Sequence, residues 1–391
     1  MRIVSKLLVA ATAAAAITAM AAAPALADPP PGVTPKPADV VGAGSGTMQN
    51  VFDQFSHDYN ATHSTGQLFS FDITNPATGA ARDPIQLKSG NANCNISRPH
   101  GSSAGITALE NTFMTGTHPC IDFARSARGR APTDPTIISF INLAGDAMTY
   151  ATQPGSNAPA NLTTGDLIGI YNCTITKWNQ IPGNAGGSTA TIRAFLPQPD
   201  SDTRAFFLAA IGISAAGPCV STSATQQGAA GANDQTLQEN EGVAPSLNTN
   251  KANVIVPVSV GNWIAERFHS ASCGTVAQCF AHPETCTPSG TQNLFGCNTH
   301  GTLVLNDING TAPTTGAGGN TTINPGFTAG FTHLLFEVVS ASQDTIPAYL
   351  QPYFGPTGFT CTSAKAKTDL KNYGFFVLPA GNTPGHCGFA Q

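Results

Sequence analysis

The chain contains 391 residues, of which 10% are charged, and its formal net charge at pH 7 is −5. A protein that binds nucleic acid or an anionic membrane surface needs a basic face, so this composition argues against both partners. Residues 28–391 exceed the length that one hydrophobic core usually serves, which predicts two domains. No stretch of these residues is apolar enough to predict insertion into a membrane.

The N-terminus has the pattern of a cleavable export signal. Arg2 and Lys6 precede an Ala-rich apolar run over 7–23, and a small-x-small cleavage site ends at Ala27. A Pro-rich linker over 28–38 follows this short run, so a retained membrane span is not expected. The sequence has no cysteine near the cleavage site, so a lipid anchor is not expected. We therefore expect a secreted or periplasmic protein, released by cleavage after Ala27.

From the linker onwards, short strands alternate with amphipathic helices. Four segments place a turn rich in Ser, Thr, Gly or Asp beside a strand or at a helix start: 38–60, 97–113, 120–130 and 191–212. Between and after them, 136–152 predicts a strand that leads into an exposed loop, 162–181 a Thr-capped helix, and 253–268 a buried strand followed by a helix. The stretch 311–326 is a loop by composition. This alternation predicts an α/β fold with mostly parallel sheets.

All ten cysteines follow the predicted cleavage site: Cys94, Cys120, Cys173, Cys219, Cys273, Cys279, Cys286, Cys297, Cys361 and Cys387. An even number in an exported chain favours disulfides. We expect sequence neighbours to pair as Cys94–Cys120, Cys173–Cys219 and Cys361–Cys387, with two further bridges within 273–297. The alternative is a metal site in that last group with His282 and His300. Its spacings match no common zinc pattern, so no metal is expected.

The four turns share residues that suit an anion. They contain Ser45, Gly46 and Thr47 in the first turn, Ser102 and Ser103 in the second, Ser126 in the third, and Ser201 and Thr203 in the fourth. Free N–H groups at a helix start bind anions, hydroxyls add neutral donors, and glycine lets the backbone approach closely. Arg128 and Arg204 adjoin the third and fourth turns, and arginine suits bidentate oxyanion binding. The alternative is that these hydroxyls are ordinary helix caps and the arginines a solvated face.

Two short patterns in the sequence resemble enzyme motifs only in part. Residues 101–105 fit the G-x-S-x-G pattern of a hydrolase, with Ser103 as nucleophile, but Pro99 is poorly placed for the strand that such an elbow requires. The glycine pattern at 42–47 ends in Thr47, where a dinucleotide-binding fingerprint needs glycine. An exported protein with disulfides is also not expected to bind a nicotinamide cofactor. We therefore expect no cofactor and no catalytic residue.

The turns resemble those of the PstS-type phosphate-binding proteins of ABC importers, which have the class II periplasmic-binding-protein fold. GAGSGTMQNVF (42–52) resembles the opening strand, loop and helix of that family, GSSAGITAL (101–109) its second anion loop, and IDFARSARG (121–129) its third. LTTGDLIGIYNCTITKWNQI (162–181) resembles the start of its second domain, and PDSDTRAFF (199–207) its fourth loop. The resemblance covers roughly residues 40–260 and the final strand region.

The resemblance implies a two-lobed α/β fold, each lobe a mostly parallel sheet flanked by helices, with the ligand in the cleft between the lobes. The first lobe would comprise 39–135 plus 331–391, and the second 136–330 with a Cys-rich insertion over 270–330. It further implies a monomeric, non-enzymatic solute-binding protein for a small oxyanion, phosphate first, with an ABC permease as partner. A secreted serine hydrolase and a ligand-free surface or interaction protein on the same fold are the alternatives.

By position, the resemblance places the anion contacts at Ser45, Gly46, Thr47, Ser102, Ser201 and Thr203, and Ser103, Ser126, Arg128, Asp202 and Arg204 complete the candidate site. Three positions depart from the family pattern. Ala127 replaces the carboxylate that accepts the proton of hydrogen phosphate, Pro197 replaces an arginine, and Asp202 replaces a glycine. The resemblance therefore implies weaker discrimination against sulfate unless Asp202 accepts the proton, and Arg128 or Arg204 would supply the missing positive charge.

Overall fold

The structure is a computed structural model that describes residues 28–30, 32–75, 80–113, 120–222, 237, 239, 242, 250–269 and 300–391. The predicted signal peptide over 1–27 lies outside the described residues. So do Cys273, Cys279, Cys286 and Cys297, and with them the two bridges expected within 273–297 and the alternative metal site.

Fifteen strands are present in the described ranges: β1 (Val40–Gly44), β2 (Leu68–Ser70), β3 (Pro84–Gln86), β4 (Asn95–Ser97), β5 (Phe123–Ser126), β6 (Ile138–Thr152), β7 (Asn161–Leu162), β8 (Arg193–Ala194), β9 (Val254–Ser259), β10 (Val304–Leu305), β11 (Asp307–Ile308), β12 (Thr314–Thr315), β13 (Thr322–Ile323), β14 (Thr332–Ser340) and β15 (Phe376–Val377).

The α-helices of the same ranges are α1 (Gln49–Asn60), α2 (Ser102–Phe113), α3 (Thr164–Tyr171), α4 (Asp202–Ala210), α5 (Val260–Ile264), α6 (Gln351–Phe354), α7 (Phe359–Thr362) and α8 (Ala364–Asn372). Short 3-10 helices span Ala92–Cys94, Trp178–Gln180, Lys251–Asn253 and Gly318–Asn320, and a π-helical turn spans Ala265–His269. Thr163 caps α3 through a capping box with Asp166, as its sequence predicts.

The main sheet follows the order β2–β1–β5–β14–β6–β9–β8, and β10 and β15 also pair with β6. β1 runs parallel to β2 and β5 at one end, and β8 runs parallel to β9 at the other. The long strands β6 and β14 run antiparallel to each other and to β9 and β5 between these ends. The predicted α/β class, with parallel strands and flanking helices in each lobe, is confirmed. The antiparallel centre is a feature that the sequence pattern did not predict.

Two local predictions differ from the structure. The residues of β6 continue as a buried strand to Thr152, whereas the sequence indicated a strand that opens into an exposed loop. The polar Asp146 within β6 is buried, and it accepts hydrogen bonds from Ser259 and Gly261. The 311–326 stretch also differs from the predicted loop, because it forms the small hairpin β12–β13.

The apolar side chains pack into separate clusters on two sides of the molecule, which the paired strands β6 and β14 connect. The first side packs β1, α1, β5 and the C-terminal helices around Phe52, Phe123 and Phe354. The second side packs α3, α4, β9 and the segment after His300 around Trp178 and Phe207. We call these sides the first and second lobes. The first residues of β6 pack in the first lobe and its last residues in the second, so the strand connects both cores.

Three of the predicted disulfides are present in the described residues, namely Cys94–Cys120, Cys173–Cys219 and Cys361–Cys387. The first and third lie in the first lobe, and the second joins the end of α3 to the chain after α4. These pairings are confirmed, and each bridges cysteines that are neighbours in the sequence.

Candidate functional site

The ends of the first-lobe strands bring three of the four turns together. β1 and β5 are parallel, with Gly44 opposite Arg125, so the first and third turns follow these strands side by side. An isolated bridge between Gly44 and His100 brings the second turn to the same edge. This is the edge at which ligands bind in open α/β sheets.

The fourth turn approaches from the second lobe. Ser201 caps α4, and its Oγ accepts a hydrogen bond from Arg204 N at 3.2 Å. Gly101 lies against it with a φ of 107°, and a Cβ on Gly101 would lie 2.6 Å from the Asp200 carbonyl oxygen. Only glycine fits this position, because both the backbone conformation and the close approach exclude a side chain. The second and fourth turns are therefore in direct contact.

Ser102 and Asp202 form the shortest polar connection between these two turns. The Ser102 Oγ donates to Asp202 Oδ2 at 2.5 Å, and the Ser102 N–H lies 3.2 Å from the same oxygen and 3.3 Å from Oδ1. The Ser102 Oγ also accepts a hydrogen bond from Ala127 N at 2.9 Å, which ties in the third turn. Both side chains are buried. The donors at the start of α2 thus bind a carboxylate of the protein itself.

Burial governs the charge of Asp202. Loss of solvent raises the pKa of its carboxyl above the ordinary value of 3.8, although hydrogen bonds from Ser102 and the positive charge of Arg128 oppose that shift. Ser45 Oγ lies close enough to the carboxylate to favour its charge, yet it makes no hydrogen bond of normal geometry among the described residues. A buried hydroxyl donor therefore remains available beside Asp202.

A second carboxylate, which the sequence interpretation missed, lies between the first and fourth turns. Glu239 Oε1 accepts hydrogen bonds from Thr203 N at 2.7 Å, Thr203 Oγ1 at 3.0 Å and Thr47 Oγ1 at 3.3 Å. A Cβ on Gly46 would lie 3.0 Å from Glu239 Oε2, so the backbone of the first turn also approaches this carboxylate closely. Glu239 belongs to no motif of the sequence, and only its position in the fold identifies it.

The environment of Glu239 favours its neutral form. Burial, followed by the negative charge of Asp202, raises the pKa of Glu239 to about 7, although its hydrogen bonds with Thr203 and Thr47 oppose the shift. Its Oε2 atom is buried and has no hydrogen-bond partner in the part of the chain that the structure describes. The site therefore holds an unpartnered acceptor near the buried Ser45 hydroxyl.

The two arginines expected to supply positive charge have other direct partners. Arg128 makes a bidentate ion pair with Asp134, with Nη1–Oδ2 2.7 Å and Nη2–Oδ1 2.9 Å. Arg204 donates to the Pro197 carbonyl oxygen at 3.1 Å. Arg128 nevertheless lies near enough to Asp202 for its charge to oppose the rise in that pKa. Its effect on the site is therefore electrostatic and indirect.

Arg125 stabilises the first turn from the interior of the protein. This fully buried guanidinium donates to the carbonyl oxygens of Ser45 at 3.1 Å and Phe71 at 2.8 Å, and to Ser70 Oγ. Burial lowers its pKa, while the charges of Asp53 and Asp72 act in the opposite direction. Arg125 therefore holds the backbone of the first turn in place.

Ser103 and Ser126 have local roles. Ser103 is exposed in the first turn of α2, where its Oγ accepts a hydrogen bond from Arg128 Nε at 3.1 Å, and no histidine of the described ranges bonds to it. Ser126 Oγ donates to the Arg128 carbonyl oxygen at 2.8 Å within its own turn. Ser103 thus lies in a helix, and among the described residues it has no histidine partner of the kind that a hydrolase nucleophile uses.

Other features of the described residues lie away from the turns. A cavity of about 190 Å³ lies beside the Cys173–Cys219 disulfide, lined by apolar side chains such as Ile170 and Ile192 and by none of the turn residues. In the same ranges, no group of three or more His, Cys, Asp or Glu side chains could hold a metal ion. A search of the described helices for a membrane-spanning segment finds none that is sufficiently long and apolar.

Comparisons with known proteins match this architecture. The chain resembles an ABC-type phosphate transport receptor from Vibrio cholerae, with 15% identity, a TM-score of 0.50, and coverage of 86% of this chain and 99% of that one. It also resembles a putative phosphate ABC transporter substrate-binding protein with bound phosphate from Clostridium perfringens, with 12% identity, a TM-score of 0.51, and coverage of 87% and 99%. No curated protein matches the chain by sequence.

At these identities the solved structures establish a shared fold, and the resemblance inferred from the motifs is confirmed at that level. A family model described as the PBP superfamily domain matches residues 29–266, which is more than half of the chain. The chain belongs to the PBP superfamily.

Proposed function

We propose that the protein is an exported, non-enzymatic solute-binding protein that captures a small oxyanion, phosphate first, between its two lobes. The observation that carries this proposal is the set of donors around Asp202 and Glu239. Ser102, Thr47 and Thr203 already direct N–H and O–H groups at carboxylate oxygens from both lobes. Donors that bind a carboxylate can bind the oxygens of a phosphate in the same way.

The preference for a protonated oxyanion rests on a hydroxyl donor and a carboxylate acceptor where the turns meet. Ser45 Oγ is a buried hydroxyl close to the buried Asp202 carboxylate, which can accept a proton from the solute. Hydrogen phosphate carries bare oxygens for the donor and a hydroxyl for the acceptor, whereas sulfate has no proton to give near neutral pH. The acceptor that the family pattern has at position 127 would thus be replaced by Asp202.

We further propose the lobe limits expected from the sequence, 39–135 plus 331–391 and 136–330, with β6 contributing to both cores. The solved structures of similar fold are a phosphate transport receptor and a phosphate-bound substrate-binding protein. That likeness supports an ABC permease as partner and a periplasmic or secreted location. Closure of the lobes around a dehydrated anion is the mechanism that these parts suggest.

Isothermal titration calorimetry of the exported protein, purified without phosphate, tests the proposal. We expect heat and a higher melting temperature with phosphate and arsenate, and a weaker response to sulfate. If millimolar concentrations of all three anions give neither heat nor a thermal shift, the proposal is wrong. A ligand-free interaction protein on the same fold would then be the better description.

A further inference from the structure

The donors that an incoming oxyanion needs are already bound by carboxylates of the protein itself. Asp202 engages Ser102, and Glu239 engages Thr47 and Thr203. Asp202 is fixed at the start of α4, but Glu239 is distant in sequence from every turn. It follows Leu237, which is buried in the second lobe and whose carbonyl oxygen accepts a hydrogen bond from Gln198 N at 2.9 Å.

We propose that Glu239 is an intramolecular substitute for the solute. Its carboxylate occupies the oxyanion position between Thr47 and Thr203, holds the two lobes together when no solute is bound, and must move aside within the cleft in its protonated form before an oxyanion enters. This inference rests on the oxyanion-binding function proposed above.

The hydrogen bonds of Glu239 reach both lobes. Thr47 donates from the first lobe, and the N–H and hydroxyl of Thr203 donate from the second, all to the single atom Oε1. A solute oxygen at this place would receive the same three donors. Its other oxygen, Oε2, lies buried against Gly46 without a partner, so the carboxylate satisfies the donors only in part. A tetrahedral oxyanion has more oxygens than a carboxylate and can use Ser45 as well.

The charges around Glu239 make its displacement depend on pH. From the first turn the facing side chain is the neutral Thr47, and from α4 the facing side chains are Asp202 and the neutral Thr203. The positive charge of Arg128 acts on Asp202. An ionised Glu239 that stays beside the entering solute repels it, whereas a protonated Glu239 does not. The anion therefore raises the pKa of Glu239 further, so oxyanion binding is expected to take up a proton and to be stronger at lower pH.

Sulfate titrations of the wild type, Glu239→Gln and Glu239→Ala test the competition. Sulfate remains a dianion between about pH 5.5 and pH 8, so the pH dependence of its binding reports the titrating groups of the protein. We expect wild-type affinity to be at least about tenfold higher at the lower pH, and Glu239→Gln to bind at least about tenfold more tightly than wild type at the higher pH. The variant should also lose most of the pH dependence. Asp344→Asn, an exposed change of equal charge in the first lobe, is the control and should behave as wild type.

Small-angle X-ray scattering without any anion tests closure independently. We expect a larger radius of gyration for Glu239→Ala than for wild type, and phosphate should restore the wild-type value. Equal radii together with equal affinities in wild type and Glu239→Gln overturn the inference while leaving the proposed function intact. If neither protein binds phosphate or sulfate at millimolar concentration, the displacement step and the proposed function both fall.

Discussion

The Ser102 hydroxyl donates to Asp202 Oδ2 over 2.5 Å and so joins a helix start in the first lobe to a helix start in the second. The two residues lie 100 positions apart in the chain. In the family pattern a glycine stands where Asp202 lies, so the backbone alone would face the second turn. The carboxylate adds a direct connection between the lobes at the place where a solute would be bound.

Replacement of Ser102 by alanine should weaken both the site and the fold. The change removes the hydroxyl that binds Asp202 and that accepts from Ala127 N. We expect phosphate affinity to fall about tenfold or more, and the free energy of unfolding to fall by about 1–3 kcal/mol because a buried carboxylate loses a donor. Calorimetry and urea denaturation measure the two effects. Ser103→Ala is the control, since Ser103 is exposed, and equal results for both variants would falsify this role for Ser102.

Removal of the Arg128 charge should reduce oxyanion affinity modestly. Arg128 is held by Asp134 and acts on Asp202 through space, so we expect Arg128→Ala to weaken phosphate binding by about three- to tenfold. Arg82→Ala, which removes an exposed ion pair with Asp200, should have almost no effect. Titration of both variants at two salt concentrations distinguishes a charge effect from misfolding. Similar affinities for the two variants would contradict the prediction.

The Cys173–Cys219 disulfide should stabilise the second lobe. It joins two cysteines that are 46 positions apart and so reduces the conformational entropy of the unfolded chain. We expect the double variant Cys173→Ser, Cys219→Ser to lose about 2–4 kcal/mol of unfolding free energy. Guanidinium denaturation of the variant and of the wild type gives the difference. An unchanged midpoint would show that this bridge contributes nothing to stability.

Stability should decrease as pH rises from about 6.5 to 8. Burial raises the pKa to about 7 in Asp72, Glu239 and Asp369, so these carboxyls bind a proton more tightly in the folded protein than in the unfolded one. Unfolding then releases protons, and stability is lost as pH rises through the folded pKa values. Below that range the buried His333, whose pKa is lowered to about 4, gives the opposite trend.

Differential scanning calorimetry across this pH range checks the direction. We expect the melting temperature to fall by a few degrees between pH 6.5 and pH 8, and by less in Glu239→Gln. A melting temperature that stays constant or rises with pH would mean that these carboxyls are ionised in the folded protein throughout the range.

Local sequence predicts much of the architecture because its signals depend on neighbouring residues. Hydroxyl and glycine residues at strand ends predicted the turns around Ser45, Ser102 and Ser201. In the structure these three serines are buried. The segment 136–152 was harder to interpret, since the buried partners of its polar Asp146 are Ser259 and Gly261, which lie 113 and 115 positions away.

The sequence by itself determined the alternating strands and helices, the turns that offer anion donors, and three disulfide pairings. Each depends on periodicity, on helix-start chemistry or on cysteines close along the chain. Only the tertiary structure decided which groups meet those donors. Glu239 lies 192 positions from Thr47, and Asp202 lies 100 positions from Ser102. Contacts of that kind depend on how the lobes pack, and no local pattern encodes a carboxylate that arrives from a distant segment.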